Sequence, residues 1–429
     1  MNNGIRAQEL EADRAYSSID RLLRKRLLAQ MSTLRESTLL FEDMLGQSEL
    51  GEPDADPART LNTRVRIHDA SFYRSIAANG SVGAGEAYID GLWDCDDLVV
   101  LVRMLVRNRD LLDGMETGLA RAGGLAMRAW NAMRRNTRQG SRRNIAAHYD
   151  LGNGFFSLFL SADLMYSSAI FADEQDSLET ASTRKLDRIC RKLDLHPGDH
   201  VLEIGTGWGG FALHAARNYG CRVTTTTIST EQHELARERI AAAGLSERVE
   251  VLLDDYRDLQ GRYDKLVSIE MVEAIGHQYL DTYATRLGQL LKPDGMALIQ
   301  AITIEDHRYA RALRSIDFIK RHIFPGSFIP SVSVLLNAFA DHSGLRIFNI
   351  EDIGTSYALT LRCWRERFLA RLAEVRAQGF DERFIRMWEF YLAYCEGGFR
   401  ERSIGTVQML LTKPRCQRAA WLPDADLST

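Results

Sequence analysis

Short apolar runs alternate with amphipathic segments through the second half of the chain, and this alternation predicts a doubly wound α/β sheet. The expected strands lie at residues 200–205, 222–228, 249–253, 263–269 and 295–303, followed by two more near 346–351 and 406–412. The polar segment 305–342 interrupts this rhythm, so we expect a helical insertion there. Residues 361–399 have helical periodicity and should form a long helical stretch before the last strand.

The first part of the chain predicts a smaller α+β domain. Residues 63–68 alternate like a strand, and an apolar helix is expected to run through Leu105. Residues 1–60 carry one amphipathic stretch and a linker marked by Pro53 and Pro57, so we expect a mobile extension there. The predicted boundaries are an extension at 1–60, a small domain at 61–120, a basic linker at 121–143, an α/β domain at 144–415 and a tail at 416–429.

Three closely spaced glycines follow the strand that begins at His200. Gly205, Gly207 and Gly209 permit positive φ angles and let the backbone pass close to a ligand, and the helix after them directs free N–H groups toward that ligand. The spacing Gly-x-Gly-x-Gly-Gly matches neither a dinucleotide fingerprint nor a P-loop, and the bulky Trp208 leaves little room for a pyrophosphate. A tight strand-to-helix turn without a ligand is the alternative interpretation.

The motif from Glu203 to Gly210 resembles the first cofactor loop of S-adenosylmethionine (SAM) methyltransferases, which implies that Glu203 and the loop amides face the amino-acid end of the cofactor. In such a sheet the cofactor lies over the carboxyl ends of the first strands. Hydroxyl groups and Gln232 end the second strand, where many SAM enzymes have an acid, and Asp255 after the third strand is placed to accept from the adenine amine. The expected cofactor-binding residues are Tyr166, Ser167, Glu203, Gly205, Thr206, Gly207, Trp208, Gly209, Thr227, Ile228, Ser229, Gln232, Asp255, Tyr256 and Arg257.

The composition limits the classes of function. With 429 residues and 45% hydrophobic content the chain can bury a large core, and its net charge of -4 gives no reason to expect nucleic acid. Its six cysteines include no Cys-x-x-Cys pair that would suggest a zinc or redox site, and we expect reduced thiols. The polar N-terminal segment lacks the apolar core of a signal peptide, and no apolar run reaches the roughly 18 residues of a membrane span. We therefore expect a cytoplasmic protein whose contact with lipid is peripheral.

Two further segments suggest a lipid. Seven arginines and no acidic residue lie between Arg121 and Arg143, interleaved with apolar residues that include Trp130, and such a segment could lie on an anionic membrane surface. A solvated connecting helix is the equally weighted alternative. Residues 144–175 are rich in aromatic side chains beside the run His148-Tyr-Asp150, which suits a wall covering an apolar substrate.

Motifs in one order along the chain carry a more specific resemblance. They are His148–Asn153, Tyr166–Ser168, Glu203–Gly210, Thr227–Gln232, Asp255–Arg257, Glu270–Glu273, Phe324–Gly326, Tyr357 and Tyr391–Arg400. With these motifs the chain resembles the cyclopropane-fatty-acyl-phospholipid synthase family, bacterial SAM-dependent enzymes that modify unsaturated acyl chains of phospholipids. The resemblance extends from about residue 60 to residue 415. It makes 144–415 the expected catalytic domain and 61–120 a lipid-associated domain.

The resemblance implies the chemistry. A methylene unit from SAM would be added to a cis double bond, and the intermediate carbocation would lose a proton to a bound bicarbonate held by residues matching Glu273, Tyr357 and Cys395. Two further positions of that site depart from the family, because Ser168 stands in place of a cysteine and Gln300 in place of the histidine of the best-known members. Both replacements can form hydrogen bonds, but Gln300 cannot carry a positive charge. These five residues are the expected catalytic set.

Two other functions stay open at this stage. The first is a SAM-dependent C-methyltransferase that yields a methyl-branched or methylene lipid or acts on another hydrophobic acceptor, and the second is a catalytically silent lipid-binding protein. The expected partners are unsaturated phospholipid acyl chains at the inner face of the membrane, with no nucleic acid and with a homodimer as one assembly to test.

Overall fold

The computed structural model describes residues 15–111, Gly140 and residues 151–419. The arginine-rich segment 121–143, apart from Gly140, and the motif residues 148–150 lie outside the described residues, so the expectations placed on them stay predictions. Within the described ranges, no helix combines the length and the apolar character needed to cross a bilayer.

Strands and helices of the described residues are numbered in chain order. The strands are β1 (Ser37–Asp43), β2 (Gly46–Leu50), β3 (Leu61–Ile67), β4 (Trp93–Cys95), β5 (His200–Ile204), β6 (Arg222–Thr226), β7 (Val249–Leu252), β8 (Tyr263–Ile269), β9 (Leu291–Ile304), β10 (Arg346–Asp352) and β11 (Ile404–Thr412). The α-helices are α1 (Ser18–Met31), α2 (Ser71–Ile89), α3 (Leu98–Arg107), α4 (Asn153–Phe156), α5 (Leu178–Leu193), α6 (Gly210–Asn218), α7 (Thr230–Ala242), α8 (Leu280–Leu290), α9 (Asp306–Arg314), α10 (Val332–His342), α11 (Gly354–Ala370), α12 (Leu372–Ala377) and α13 (Glu382–Arg400). A π-helical turn spans Ile319–Ile323.

The chain forms two compact units, each assembled from separate stretches of sequence. The first unit comprises residues 1–133, 315–323 and 372–403, and the second comprises residues 134–314, 324–371 and 404–429. The sequence boundaries 144–415 therefore enclose two stretches that belong to the first unit. One of these stretches carries α13, which packs against α2 and α3. Gly397 allows the close approach of α13 to α3, because a Cβ there would lie 2.6 Å from Val102 Cγ1.

The second unit is built on a seven-stranded sheet with the order β10-β11-β9-β8-β5-β6-β7. Strands β5 to β9 are parallel to one another, whereas β11 is antiparallel to both β9 and β10. The strands predicted from apolar runs are all present, with ends that differ by a few residues. The expected Rossmann-like α/β fold is confirmed, and the polar insertion contains α9 and α10.

Alternate residues of the central strands enter two different hydrophobic cores, as the period-two geometry of a strand requires. Leu202 and Leu266 belong to the core that includes residues of α8 and α10, while Val201 and Val267 belong to the core that includes residues of α5 and α6. The sheet is thus covered on both faces, which explains why its strands read as nearly continuous apolar runs.

The first unit contains a four-stranded sheet with the order β2-β1-β3-β4. Strand β1 pairs parallel with β3 and antiparallel with β2, and β3 pairs antiparallel with β4. The boundary expected at residue 60 therefore falls inside a sheet rather than between an extension and a domain. The prolines at 53 and 57 mark the connection between β2 and β3, and the register of β1 with β3 is a long-range pairing that a local pattern does not reveal.

A buried ion pair ties α1 to this sheet. The fully buried carboxylate of Asp43 accepts from Arg24 Nε at 2.6 Å and from Arg24 Nη2 at 3.1 Å, and the Tyr73 hydroxyl donates to it as well. Burial and the Asp43 carboxylate raise the pKa of Tyr73, so its hydroxyl keeps its proton and stays a donor.

Asp43→Ala should destabilise the first unit, because it leaves the Arg24 guanidinium without its partner in a partly buried site. Removal of one member of a buried ion pair costs about 3 kcal/mol. Hydrogen exchange of the β1 amides measures the loss, and Glu49→Ala on the exposed side of β2 is the control expected to leave protection unchanged. Equal protection in the two variants would show that the pair does not stabilise β1.

Candidate active site

The glycine loop after β5 has the backbone geometry that its sequence predicts. Gly205, Gly207 and Gly209 have φ angles of +102°, +52° and +83°, and Gly209 caps the start of α6. A Cβ built on Gly207 meets no atom within 4 Å, so this side of the loop is open. The loop therefore fits a group that approaches the backbone closely, as SAM would.

Trp208 lies within this loop but its side chain points into an aromatic cluster. The indole Nε1 donates to Asn153 Oδ1 at 2.6 Å, and the ring centroid lies 5.0 Å from that of Phe156. The indole is buried. Trp208 can therefore offer its backbone to a cofactor, while its ring anchors the loop against α4.

Glu203 is buried at the end of β5, next to two threonines. Thr225 Oγ1 lies 2.7 Å from Glu203 Oε2 and 2.7 Å from Thr206 Oγ1. Burial raises the pKa of Glu203 to about 8, while the Thr225 hydroxyl and the Lys185 ammonium oppose that shift. A cation that binds beside Glu203, such as the ammonium of an amino acid, would favour its ionised form.

The residues after β6 form a capped helix start. Thr227 Oγ1 donates to Gln232 Oε1 at 2.9 Å and accepts from the Ser229 amide at 3.1 Å. Ser229 Oγ in turn accepts from the Gln232 amide at 3.3 Å and caps α7. Ile228 is half-buried between these polar residues. Thr227, Ser229 and Gln232 form one local network at the carboxyl end of the sheet, where the sequence predicts cofactor contact.

The residues after β7 divide between the loop and the core. Both carboxylate oxygens of Asp255 accept from Arg257, at 2.7 Å from Nε and 2.6 Å from Nη2. Oδ1 also accepts from the Arg257 amide at 3.0 Å. The Arg257 side chain and backbone thus fix the orientation of this carboxylate, which is an acceptor-only group. Tyr256 is buried in the core, with its ring 5.6 Å from the ring of Tyr283. Asp255 and Arg257 therefore suit the predicted role better than Tyr256 does.

Most of the expected catalytic residues converge on Glu270, to which the sequence motif assigned no role. Glu270 Oε1 accepts from the Ser168 amide at 2.9 Å and from Gln300 Nε2 at 2.8 Å, and Oε2 accepts from the Tyr357 hydroxyl at 2.7 Å. Glu270 has a φ angle of +51°, which is uncommon for a residue other than glycine. The available signal was its position, as the first residue after β8 at the carboxyl edge of the sheet.

Glu273 lies three residues after Glu270, and its carboxyl group accepts fewer hydrogen bonds from the protein. Its Oε1 accepts from the Ile302 amide at 2.5 Å, while its buried Oε2 has no hydrogen-bond partner among the described residues. Burial and the nearby Glu270 raise the pKa of Glu273 to about 8. Burial also raises the pKa of Glu270, but its three donors oppose the shift. Of the two groups, Glu270 is the better-stabilised carboxylate, and Glu273 is the one that more readily keeps its proton.

Helix α11 holds the segment that contains Ser168 in place. Thr360 Oγ1 accepts from the Ala169 amide at 3.1 Å, and Ser356 Oγ accepts from the Phe171 amide at 3.1 Å. Tyr357 lies on the same helix between these two residues. One helix therefore positions both the segment that contains Ser168 and the Tyr357 hydroxyl that donates to Glu270.

The expected cofactor residues Tyr166 and Ser167 lie on the same segment. The ring of Tyr166 lies 5.2 Å from that of Trp364. Ser167 Oγ accepts from the fully buried Lys185 Nζ at 2.9 Å, and burial lowers the pKa of that ammonium to about 8.

Cys395 lies on α13 in the first unit, whereas Glu273, Ser168, Gln300 and Tyr357 lie in the second. Its side chain is half-buried, and burial raises the pKa of its thiol. The thiol therefore stays protonated near neutral pH and is suited to donating or packing rather than to nucleophilic attack.

Gly207→Val should abolish SAM binding while the fold is kept. The added side chain would project into the open side of the loop, where nothing of the protein lies within 4 Å. Gly244→Val is the matched control, since Gly244 has a similar positive φ of +69° and equally open surroundings but follows α7. Both variants should lose about 1 kcal/mol of stability to the left-handed conformation. Titration calorimetry with SAM separates them, and equal affinities would contradict the cofactor assignment.

Glu273→Gln should flatten the pH dependence of stability. The pKa of Glu273 is raised from 4.5 to about 8, so the stability it contributes is complete below pH 4.5 and is lost as the pH rises toward 8. Denaturant unfolding from about pH 5 to about pH 8 measures the slope. The exposed Glu238→Gln on α7 is the control. If the two variants show the same slope, Glu273 is already ionised in the folded protein.

Comparison with known proteins identifies the family. The model for the family described as mycolic acid cyclopropane synthetase matches residues 136–409. A tuberculostearic acid methyltransferase of Mycobacterium tuberculosis is 40% identical over 396 residues, which cover 90% of both chains. The cyclopropane-fatty-acyl-phospholipid synthase of Escherichia coli K12 is 38% identical over 354 residues, covering 81% of this chain and 87% of that protein.

Solved structures agree with the sequence comparisons. A cyclopropane synthase from Mycobacterium tuberculosis superposes with a TM-score of 0.60 at 29% identity, covering 63% of this chain and 98% of that one. A mycolic acid cyclopropane synthase in complex with SAH and CTAB gives a TM-score of 0.59 at 29% identity, covering 63% of this chain and 98% of that one. The chain therefore belongs to the mycolic acid cyclopropane synthetase family and is a SAM-dependent methyltransferase.

Proposed function

We propose that the protein adds the methyl carbon of SAM to the cis double bond of an unsaturated phospholipid acyl chain, and that Glu270 accepts the proton released afterwards. The observation that carries this proposal is the convergence of Ser168, Gln300 and Tyr357 on the Glu270 carboxylate. These are three of the five positions that family resemblance associates with a bicarbonate. A carboxylate presents the same planar pair of oxygens as bicarbonate, so it can satisfy the same donors.

The cofactor would be held by the glycine loop, Glu203 and the networks after β6 and β7. Bound there, SAM supplies an electrophilic methyl group on sulfur. The open side of Gly207 admits it, and Glu203 provides an acceptor for its ammonium. Asp255, oriented by Arg257, supplies a carboxylate acceptor of the kind that an adenine amine requires.

Aromatic rings beside the Glu270 site support an apolar substrate that becomes positively charged. Tyr357 and Trp364 meet edge to face with centroids 6.1 Å apart, and Tyr166 packs on the same tryptophan. Ring faces and a nearby carboxylate both stabilise a carbocation, while apolar walls keep water from quenching it. Such surroundings suit an alkene, which is a weak nucleophile and has to be aligned for attack.

The fate of the proton decides the product. If the carbocation loses a proton from the transferred methyl carbon, the C–H electron pair closes a cyclopropane ring. If a hydride first shifts along the chain, or the proton leaves from a chain carbon, an open-chain methylene or methyl-branched alkene forms. The ring is the expectation from family resemblance. The open-chain product is the second candidate, favoured because Glu270 occupies the donors that would hold bicarbonate and because one relative is named a tuberculostearic acid methyltransferase.

The substrate places the reaction at a membrane surface. We propose that the basic segment 121–143 recruits the protein to the inner leaflet as a peripheral protein, since each basic residue near an anionic surface contributes about 1 kcal/mol. That segment lies outside the described residues, and its sequence alone supports this part of the proposal.

Wild-type protein should be as active in bicarbonate-depleted buffer as in buffer with added bicarbonate. Glu270→Gln should lower turnover by about 10²-fold or more, because a positioned general base contributes at least that much. Its SAM affinity should stay unchanged, and Glu238→Gln should match the wild type in every assay. Activity that depends on bicarbonate, together with an active Glu270→Gln variant, would overturn the assignment of the base.

The product is identified with a trideuteromethyl cofactor and NMR of the isolated acyl chains, since mass alone does not distinguish a ring from its methylene isomer. A ring that carries two deuteriums would establish the synthase reaction. Deuterium in an open-chain methylene or methyl-branched product would establish the second candidate. Unlabelled acyl chains from protein that binds SAM would contradict both.

A further inference from the structure

Two glutamines face each other beside the Glu270 site. Gln300 on β9 and Gln408 on β11 are partners in the antiparallel register, and both side chains are fully buried. Two long amides buried in a sheet are costly unless their hydrogen bonds are made. Gln300 was expected from the sequence, whereas nothing in the motifs indicates a role for Gln408.

The hydrogen bonds give the Gln300 amide one orientation. Its Nε2 donates to Glu270 Oε1 at 2.8 Å and to the Ser168 carbonyl at 3.3 Å, so both protons are used. Its Oε1 accepts from Gln408 Nε2 at 3.0 Å. The buried Oε1 of Gln408 has no hydrogen-bond partner among the described residues. The pair thus leaves an acceptor of Gln408 unsatisfied while every polar atom of Gln300 is engaged.

An amide has two ends of nearly equal shape and opposite polarity. If the Gln300 amide were reversed, its oxygen would face the Glu270 carboxylate and its NH₂ group would face the NH₂ group of Gln408. Both contacts would be repulsive. By donating to Gln300 Oε1, the end of the amide that points away from Glu270, Gln408 Nε2 therefore opposes the reversal.

We propose that Gln408 is a positioning residue that fixes the Gln300 amide with its NH₂ group toward Glu270 and so keeps Glu270 ready to accept a proton. The inference rests on the proposed role of Glu270. Gln408 acts only through Gln300, and the two glutamines form a relay from β11 to the carboxylate.

The other groups that face Glu270 act independently of this relay. Tyr357 on α11 donates to its second oxygen, Lys185 on α5 stabilises its charge through space, and Glu273 on the same loop opposes that charge. Loss of the Gln408 donor leaves the Gln300 amide less firmly oriented, which weakens its hydrogen bond to Glu270 and leaves these groups in place. The carboxylate would then be less stabilised relative to the acid, so the pKa of Glu270 would rise.

Gln408→Met tests the relay, because methionine keeps the length and volume of glutamine without a donor. We expect the acidic limb of the pH profile of turnover to move to higher pH by up to about one unit, which is the effect of the complete loss of one hydrogen bond to a charged group. SAM affinity and the melting temperature serve as checks on the fold. Thr406→Val, buried two residues earlier on β11, should keep the wild-type profile.

A double-variant cycle separates relay from packing. Gln300→Met should shift the same limb in the same direction, and the double variant Gln300→Met/Gln408→Met should shift it no further. Additive shifts would show that Gln408 acts independently of Gln300 and would overturn the relay. So would an unshifted profile in a folded Gln408→Met protein.

Failure of the relay is distinguishable from failure of the proposed base. If Glu270→Gln stays fully active, Glu270 is not the proton acceptor, and the proposed role of Gln408 fails with it, whether or not Gln408→Met shifts the pH profile. If Glu270→Gln is inactive and Gln408→Met keeps the wild-type profile, the base stands and the relay alone is refuted.

Discussion

A carboxylate that is partly withdrawn from water has to be solvated by the protein, and Glu270 shows how much of this fold is arranged to do so. Its donors come from the segment before α5, from β9 and from α11. Those elements are held by the sheet register and by the α11 hydroxyls of Ser356 and Thr360. The cost of burying the charge thereby turns three distant pieces of chain into one site.

The two acidic residues of this loop differ in how well their charge is stabilised, because they differ in surroundings. Glu270 has three donors, whereas Glu273 has one backbone amide and a bare oxygen. Like charges in a small dry volume do not both persist, so the better-solvated group keeps the charge and the other keeps the proton. Burial acts differently on the oppositely charged Glu203 and Lys185, where loss of solvation moves the two pKa values toward each other against their mutual attraction.

Local patterns predicted the sheet and the glycine loop, because strand hydrophobicity and the positive φ of Gly207 are properties of adjacent residues. Tyr357, Ser168 and Gln300 were expected from the family resemblance and not from local patterns. The role of Glu270 was missed, since it depends on partners that lie 102, 30 and 87 residues away. The boundary near residue 60 failed for the same reason, because the pairing of β1 with β3 is also non-local.

The discontinuous first unit has a consequence for biosynthesis. Helices α2 and α3 are translated early, but α13, which packs against both, belongs to residues 372–403. The faces of α2 and α3 that pack against α13 therefore have no native cover until the ribosome has passed residue 403. A nascent chain stalled within the sheet of the second unit would be a natural client for chaperones that bind exposed apolar helices.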